Sequence, residues 1–266
     1  MFDLPKQGDI LNEITYVNST AIVSYSDFRQ QLLTHSSGVL LVKPRVFLER
    51  VESQFGIPVE MRMHVPSSKI GSILTLEATI LACVLKLIRP SRVFEFGTFL
   101  GYTTAFLLNN SDAVVYSLDL PRHENEDSNV LAPDETKLLT DDAYNDHFLT
   151  AVASSKGEIY LAKLMQDSRL NLIKCDSRNF EPQSFSLNGR VDFIFIDGGH
   201  SHSIIESDTR KSLQMVSNKG VLIWHDFNSQ VHNQVSHFLS SFSEKQLLIH
   251  VESTMLAIGG PGILNF

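Results

Sequence analysis

The amino-acid sequence predicts an α/β protein built on a doubly wound, mostly parallel sheet. From Arg92 onward, short apolar runs alternate with segments of helical periodicity, which is typical of strand–helix–strand units. The first of these runs, Arg92–Phe96, leads through a glycine turn into the helical segment Tyr102–Asn109. Polar residues directly follow several runs, at the carboxyl ends of strands where such sheets bind ligands. Together these three observations indicate the fold class.

The individual elements follow from the hydrophobic pattern. Seven apolar runs are predicted to be strands: Arg92–Phe96, Ala113–Leu118, Leu170–Lys174, Val191–Ile196, Gly220–Trp224, Gln246–Val251 and Met255–Ile258. Four intervening segments are predicted to be helices: Tyr102–Asn109, Tyr144–Ser154, Ile204–Val216 and Val231–Phe242. An earlier helix begins after Gly71-Ser72 and is ended by Arg89-Pro90, because proline continues a helix poorly. In the helix at 204–216, one face is predicted to carry Ile205, Thr209, Leu213 and Val216.

The chain is predicted to contain an extension, a main domain and an insertion. Residues 1–70 form the N-terminal extension, which we assign to substrate binding or to contacts within an oligomer. Its apparent elements are two β-like runs and one helical stretch, at Ala21–Tyr25, Gly38–Val42 and Phe47–Phe55. Residues 71–266 form the main domain, whose insertion at about 121–167 is too long for a plain connection. The acidic run that begins at His123 fits either a solvated surface segment or a lid over a ligand site.

The composition limits the classes of function. The chain has 266 residues, of which 43% are hydrophobic and 20% charged, enough for a sizeable core. Its net charge of -8 argues against a protein that coats nucleic acid. Residues 1–9 lack the pattern of a secretory signal, and the most apolar window, Ile73–Ile88, is too short to span a bilayer. Cys83 and Cys175 give no disulfide framework. We therefore expect a cytoplasmic protein without nucleic-acid or membrane partners.

The segment Val93–Thr104 carries the clearest ligand-binding pattern. An apolar strand ends in the acidic Glu95, and Gly97 and Gly101 flank a tight turn into a helix. Glycine lets the backbone approach a ligand closely, and the free N–H groups of a helix N-terminus attract a carboxylate or phosphate. The spacing differs from the G-x-G-x-x-G dinucleotide fingerprint and lacks the Gly-Lys-Ser/Thr of a phosphate loop. A turn with a purely structural role is the alternative.

Further aspartates follow the turn. Asp119 ends the next strand, where a carboxylate can accept both hydroxyl hydrogens of a ribose. Asp176 follows the third strand beside Ser177 and is a candidate for binding the amino group of adenine. Each aspartate has a structural alternative, because Asp at a strand end often forms a turn or caps a helix. Asp208 lies inside a helical segment and is interpreted as structural.

Ligand-type residues are densest after the fourth and fifth predicted strands. Asp197 and His200 follow one strand, and His225 and Asp226 follow the other. Adjacent parallel strands would bring these four side chains together. Carboxylates with one imidazole suit Mg²⁺, Mn²⁺ or Fe²⁺. Such an ion could acidify a substrate hydroxyl while a nearby histidine removes its proton. Hydrogen bonding within the sheet end is the alternative for His225.

These motifs, in this order, resemble those of class I S-adenosylmethionine-dependent methyltransferases. Val93–Thr104 is similar to the first motif of the metal-dependent catechol and caffeoyl-CoA O-methyltransferases. Phe195–Phe227, with its Ile-Asp-Gly-Gly-His and its His-Asp ending, resembles the macrocin and mycinamicin O-methyltransferases and relatives of cephalosporin hydroxylase. The resemblance spans about Ser72 to Asn228. It implies a Rossmann-like, seven-stranded methyltransferase fold and O-methylation of a small molecule, with S-adenosylmethionine and Mg²⁺ or Mn²⁺ as cofactors.

The resemblance also implies roles for individual residues. The cofactor-binding set is Glu95, Gly97, Thr98, Gly101, Thr103, Asp119, Asp176, Ser177 and Asp197. Within it, the glycine turn faces the methionine part of the cofactor, Asp119 binds its ribose, and Asp176 and Ser177 flank its adenine. The implied metal ligands are Asp197, His225 and Asp226, and His200 is the implied general base. His225 is a departure: the catechol-type enzymes have Asp followed by Asn at this pair, and the macrolide-sugar enzymes have Glu followed by Asp.

Two other functions stay open at this level. An oxygenase similar to cephalosporin hydroxylase would bind Fe²⁺ through Asp197, His225 and Asp226, although two carboxylates with one imidazole are not the usual iron triad. A non-catalytic subunit would bind the cofactor without turning it over. The sequence identifies neither the acceptor nor the oligomeric state, and it leaves both the identity of the metal and the need for one open.

Overall fold

The computed structural model describes residues 14–64, 71–121 and 134–266. Within them, one sheet contains eight strands: β1 (Gly38–Val42), β2 (Arg92–Phe96), β3 (Val114–Asp119), β4 (Leu170–Lys174), β5 (Val191–Ile196), β6 (Val216–Trp224), β7 (Leu247–Val251) and β8 (Ala257–Gly259). Their order across the sheet is β1-β7-β8-β6-β5-β2-β3-β4. Every neighbouring pair is parallel except those of β8, which runs antiparallel to β6 and β7. The predicted mostly parallel α/β fold is confirmed.

The same residues form eight α-helices: α1 (Tyr25–Thr34), α2 (Pro44–Phe55), α3 (Thr75–Ile88), α4 (Tyr102–Asn109), α5 (Glu135–Thr140), α6 (Asp142–Lys156), α7 (His202–Met215) and α8 (Asn233–Ser243). Pro44 occupies the first turn of α2, where its missing N–H has no cost. Helix α3 ends at Ile88, and its C-cap Arg89 lies directly before Pro90, as predicted. No helix in the described ranges is both long and apolar enough to cross a membrane.

Part of the predicted N-terminal extension belongs to the sheet. Strand β1 pairs in parallel with β7 and adds an eighth strand at the edge, beyond the seven predicted from residue 92 onward. The expectation of a β-like run at Ala21–Tyr25 is wrong, since within the described part of the chain its only pairing is an isolated bridge from Ile22 to Val42. The Ser24 hydroxyl accepts a hydrogen bond from the Asp27 amide and so caps helix α1 there.

The described part of the insertion is mainly helical. Helices α5 and α6, here called the α5–α6 arm (Glu135–Lys156), are followed by a short 3₁₀ turn at Ile159–Leu161. The side chain of Asp134 caps α5 and that of Asp141 caps α6. The acidic run that begins at His123 lies outside the described residues.

The core covers both faces of the sheet. Val93 and Phe193 belong to the apolar layer that contains α3 and α4, whereas Phe94 and Ile194 belong to the layer on the opposite face. Because successive side chains of a strand point to opposite faces and both faces are covered, the central strands are mostly apolar. Glu95 interrupts this pattern and is completely buried.

Helix α7 packs differently from its predicted face. Ile205 and Thr209 are buried as expected, but Leu213 is 48% exposed. Asp208 is buried instead, and Trp224 donates a hydrogen bond from its indole nitrogen to the Thr209 hydroxyl at 2.9 Å. Polar side chains therefore form much of the contact between α7 and the sheet.

Candidate active site

A cavity of about 810 Å³ opens at the carboxyl ends of the central strands. This volume is in the range of pockets that enclose small ligands. Residues after β2, β3, β4, β5 and β6 line one side, and the α5–α6 arm lines another. The predicted site residues found in the lining are Gly97, Thr98, Thr103, Asp119, Asp176, Ser177, Asp197, His200, His225 and Asp226. Glu95 and Gly101 are not in the lining.

Gly97 joins the ends of two central strands. Its φ is +93°, and a Cβ at this position would lie 2.0 Å from the backbone oxygen of Asp197. The Gly97 amide donates a hydrogen bond to the backbone oxygen of Leu118 at 2.8 Å. The Asp197 amide donates one to the backbone oxygen of Phe96 at 3.0 Å. Any side chain at Gly97 would therefore push β2 and β5 apart at the point where the cavity begins.

Glu95 lies behind the cavity wall. Its Oε2 accepts hydrogen bonds from the Thr104 and Ser117 hydroxyls, each at 2.5 Å, and its Oε1 has no hydrogen-bond partner among the described residues. Burial raises the pKa of Glu95 to about 8, although the two hydroxyls act in the opposite direction. Glu95 thus ties α4 to β3 from outside the cavity lining, and its predicted contact with the cofactor stays a prediction. Gly101, the N-cap of α4, likewise shapes the turn instead of facing the cavity.

The Asp119 carboxylate lies at the cavity where a ribose is expected. It accepts hydrogen bonds from the amides of Phe99 at 3.0 Å and Leu120 at 2.9 Å. Lys174 lies 3.6 Å away. Burial raises the pKa of Asp119, although Lys174 and the two amides oppose this effect. The backbone thus fixes the carboxylate in place, and each oxygen retains a lone pair for a hydroxyl group.

The predicted adenine region combines Asp176 and Ser177 with Asp208. Asp176 accepts from the Arg178 amide at 2.9 Å and forms two-point contacts with its guanidinium, which matches the alternative of an Asx turn. Asp208, interpreted from sequence as structural, also lines the cavity and is only 1% exposed. Burial raises the pKa of Asp208 to about 7, and its Oδ1 has no hydrogen-bond partner within the described ranges.

The predicted metal ligands lie together after β5 and β6. Nδ1 of His225 lies 3.0 Å from Oδ2 of Asp226 and 3.2 Å from Oδ1 of Asp197. The other ring nitrogen, Nε2, lies 3.3 Å from Oε2 of Glu77, a completely buried residue of α3. Asp226 has a left-handed φ of 59°, an uncommon conformation for a residue other than glycine. Backbone strain of this kind often accompanies functional sites.

The charges of His225 and the neighbouring carboxylates shift one another's pKa values. Burial alone would lower its pKa, but the carboxylates of Asp197 and Asp226 outweigh burial and raise it well above its usual value. Burial conversely raises the pKa of Asp226, yet His225 and His200 hold it well below its usual range. Burial also opposes ionisation of Glu77, whose pKa is nevertheless lowered by His225 and two backbone amides. The site is therefore built to hold positive charge among three carboxylates.

His200 lies between two carboxylates. Its Nε2 is 3.0 Å from Oδ2 of Asp226, and its Nδ1 is 2.5 Å from Oδ1 of Asp146 on the α5–α6 arm. Burial lowers the pKa of His200, but Asp226 and Asp146 overcome this and raise it to about 10. The His200 ring also stacks on that of His232, with centroids 3.6 Å apart. The structure thus brings His200 to the predicted metal ligands.

Sequence reasoning missed three partners of these histidines: Glu77, Asp146 and His232. Glu77 had a detectable signal, because a glutamate inside an apolar helical window is rarely buried without a partner. Asp146 and His232 carried no comparable signal, since their contacts depend on how the insertion folds onto the sheet.

The fold and this cavity define an α/β enzyme with a ligand site at the carboxyl edge of its sheet. Residues 94–227 match the model of a family described as a methyltransferase domain. The match spans 134 of the 266 residues, and the chain belongs to this family of S-adenosylmethionine-dependent methyltransferases. No curated protein sequence matches the chain.

Solved structures share the architecture at low sequence identity. The SAH-bound methyltransferase PaMTH1 of Podospora anserina is 15% identical, with 81% of this chain and 86% of that chain covered and a TM-score of 0.47. A Staphylococcus aureus protein assigned as a caffeoyl-CoA O-methyltransferase is 15% identical, with coverages of 88% and 97% and a TM-score of 0.47. A methyltransferase from Geobacter sulfurreducens is 12% identical, with coverages of 81% and 86% and a TM-score of 0.44. At these identities the similarity concerns the fold alone.

Proposed function

We propose that the protein transfers the methyl group of S-adenosylmethionine to a hydroxyl oxygen of a small molecule, assisted by a divalent cation. Asp197, His225 and Asp226 hold the cation, and His200 is the general base. The observation that carries this proposal is the contact between His225 and Glu77. Metal-bound histidines usually donate their second ring N–H to a carboxylate, and Glu77 is placed to accept it.

The three ligand atoms fit a cation with octahedral preferences. Bonds of about 2.1 Å place neighbouring ligand atoms about 3.0 Å apart. Nδ1 of His225 lies at 3.0 Å from Asp226 and 3.2 Å from Asp197, and the three atoms all lie within 4.8 Å of one another. With Nε2 committed to Glu77, a cation would bind Nδ1 in place of the proton that Asp197 and Asp226 favour there. Two carboxylates with one imidazole favour Mg²⁺, Mn²⁺ or Fe²⁺.

The cofactor lies along the carboxyl ends of β2, β3 and β4 in this proposal. Gly97 lets the backbone approach it, Thr98 and Thr103 line its methionine end, and Asp119 accepts its ribose hydroxyls. Ser177 borders the adenine together with Asp208, whose Oδ1 has no hydrogen-bond partner among the described residues and which replaces the Arg178-bound Asp176 as the candidate carboxyl group there. S-Adenosylmethionine supplies a methyl group on positively charged sulfur, so alignment of the acceptor is the main requirement.

The remaining residues prepare the acceptor oxygen. When bound, a divalent cation supplies Lewis acidity to the acceptor hydroxyl and offsets the negative charge of Asp226. Nε2 of His200 lies 3.0 Å from Asp226, whose charge helps to raise the pKa of His200 to about 10. A cation bound by Asp226 would offset that charge and lower this pKa, so that Nε2 could receive the proton of the hydroxyl. The oxygen then forms its bond to the methyl carbon as the carbon–sulfur bond breaks, and the electron pair of that bond stays on sulfur. Leu138 and Leu149 of the α5–α6 arm line the same cavity and favour an acceptor with an apolar body.

Manganese binding tests the metal site without knowledge of the acceptor. Titration of the full chain with Mn²⁺, followed by electron paramagnetic resonance, should reveal one site. Asp197→Asn and Asp226→Asn should each weaken binding more than about 100-fold, because losing even an outer partner of a ligand costs 10–100-fold. Asp27→Asn, an exposed change on α1, is the matched control. Wild-type-like Mn²⁺ binding in both site variants would overturn the assignment.

The product distinguishes the reaction. The protein is incubated with methyl-labelled S-adenosylmethionine, Mn²⁺ and a panel of aromatic diols and sugar hydroxyls, and a product heavier by one CH₂ group is expected. Asp226→Ala should abolish this transfer while calorimetry still detects S-adenosylhomocysteine binding. A product heavier by one oxygen atom would identify an oxygenase instead. Cofactor binding without any transfer across the panel would favour a non-catalytic subunit and contradict the proposal.

A further inference from the structure

We infer that Asp146 on the α5–α6 arm is a positioning residue for His200, holding the Nδ1 side of its ring so that Nε2 faces the acceptor. This inference rests on the proposed role of His200 as general base. In this inference the insertion contributes a residue to the catalytic machinery, whereas most of the other predicted site residues follow strands of the sheet.

The contact between the two side chains defines the orientation of the ring. Oδ1 of Asp146 lies 2.5 Å from Nδ1 of His200. An ionised carboxylate can only accept, so Nδ1 carries the shared hydrogen. By the same reasoning Nε2, 3.0 Å from Oδ2 of Asp226, also carries a hydrogen when no cation is bound, and a cation held by Asp226 would free this nitrogen. A base oriented by a carboxylate in this way presents one defined nitrogen to its substrate.

A second Asp–His hydrogen bond lies beside the first, so α6 is attached to the site at two points. Asp142 lies one helical turn before Asp146 on α6, and its Oδ1 is 2.5 Å from Nδ1 of His232. Oδ2 of Asp142 also accepts from Gln234 at 3.3 Å. The ring of His232 stacks on His200 with an interplanar angle of 20°. Helix α6 thus forms a hydrogen bond to each of two stacked imidazoles, one from each aspartate.

These four side chains fit two separate pairs better than a second metal site. Their ligand atoms lie within 4.8 Å of one another, as a metal site requires. A metal ion must, however, lie close to the plane of every imidazole that binds it. The planes of His200 and His232 differ by 20° with centroids 3.6 Å apart, so they meet only roughly 10 Å away (3.6/tan 20°). No single ion can lie in both planes at bonding distance.

Polar contacts hold α6 more than apolar packing does. None of the residues of α6, Asp142–Lys156, is fully buried. The helix nevertheless lines the cavity through several side chains, including Asn145, Asp146 and Leu149. An element that is weakly packed and also borders the acceptor space can respond to an acceptor. Docking of the arm therefore determines both the acceptor wall and the orientation of the base.

Nuclear magnetic resonance tests the pairing directly and needs no acceptor. Ring N–H protons hydrogen-bonded to carboxylates resonate downfield of the backbone amides, and full-length protein with ¹⁵N-labelled histidine should show one such signal for each pair. Asp146→Ala should remove the His200 signal and keep the His232 signal, whereas Asp142→Ala should do the reverse. Alanine suits helix α6, so both variants should remain folded. His200→Gln assigns the first signal.

Kinetics then separates positioning from packing. With an acceptor that is turned over in the labelled-methyl assay, Asp146→Ala should lower kcat about 10–100-fold and leave the KM for S-adenosylmethionine unchanged. Asp142→Ala should mainly raise the KM for the acceptor. A His200 signal that survives Asp146→Ala, or an unchanged kcat, would overturn the inference. Absence of methyl transfer by the wild type would instead overturn the proposed function, while the resonance experiment would still report on the pairing.

Discussion

Replacing Glu95 with glutamine measures how the ionisation of one buried carboxyl group changes the free energy of unfolding. The pKa of Glu95 is raised to about 8 from an ordinary 4.5, with burial as the largest cause. The unfolded chain releases this proton near pH 4.5, whereas the folded protein retains it up to about pH 8. The free energy of unfolding therefore falls as the pH rises between these values, by about 1.4 kcal/mol per pH unit and on the order of 5 kcal/mol in total.

Glutamine mimics the protonated carboxyl group but does not titrate, so Glu95→Gln should lack this component of the pH dependence. Urea denaturation of both proteins at pH 5 and at pH 8.5 measures the difference. Near pH 5 the two should be similar in stability, and at pH 8.5 the variant should be more stable by several kcal/mol. Glu60→Gln, at an exposed position, should follow the wild type at both values. If Glu95→Gln is equally or less stable than the wild type at pH 8.5, the carboxyl group is ionised in the folded protein and the reasoning fails.

Three other substitutions test separate features of the site. Gly97→Ala should cost about 2–4 kcal/mol in urea denaturation, because it adds a collision with the Asp197 backbone to the strain of positive φ. Gly56→Ala, with positive φ but nothing within 4 Å, should cost only about 1 kcal/mol, and equal losses would contradict this account. Asp119→Ala should weaken S-adenosylhomocysteine roughly 10–100-fold by calorimetry and leave Mn²⁺ binding intact; unchanged affinity would exclude the ribose contact. Glu77→Gln should weaken Mn²⁺ about 10–100-fold in the resonance titration, and an unaltered affinity would separate Glu77 from the metal site.

The strands that carry the site were predictable because their signals are local. Arg92–Phe96, Leu170–Lys174 and Val191–Ile196 have the predicted bounds, since each is a short apolar run ended by polar residues. Parallel strands place their carboxyl ends at one edge, so the proximity of Asp197 to His225 followed from topology alone.

The partners of the histidines were not predictable for the opposite reason. Glu77 meets His225 across 148 positions of sequence, and Asp146 meets His200 across 54. Nothing local to either acidic residue specifies which helix face will touch the strand ends. Such contacts follow from tertiary packing, which a periodicity pattern does not encode.

Helix α7 shows where periodicity predicted only part of the buried face, since Ile205 and Thr209 are buried but Leu213 is not. The apolar Leu213 suggested a buried position, yet it is 48% exposed. Asp208 occupies the buried position at the cavity instead.

The hydrogen-bonded junction of β2 and β5 at Gly97 has a consequence for how new specificities can arise. It joins the residues that follow β2 and β5 into one frame, in which a side chain at Gly97 would collide with the backbone of Asp197. The α5–α6 arm is attached to that frame through a few side chains and contributes the apolar lining of the cavity. Exchanging residues along the arm, with Asp142 and Asp146 retained, is therefore a route to altered acceptor preference that leaves the chemistry in place.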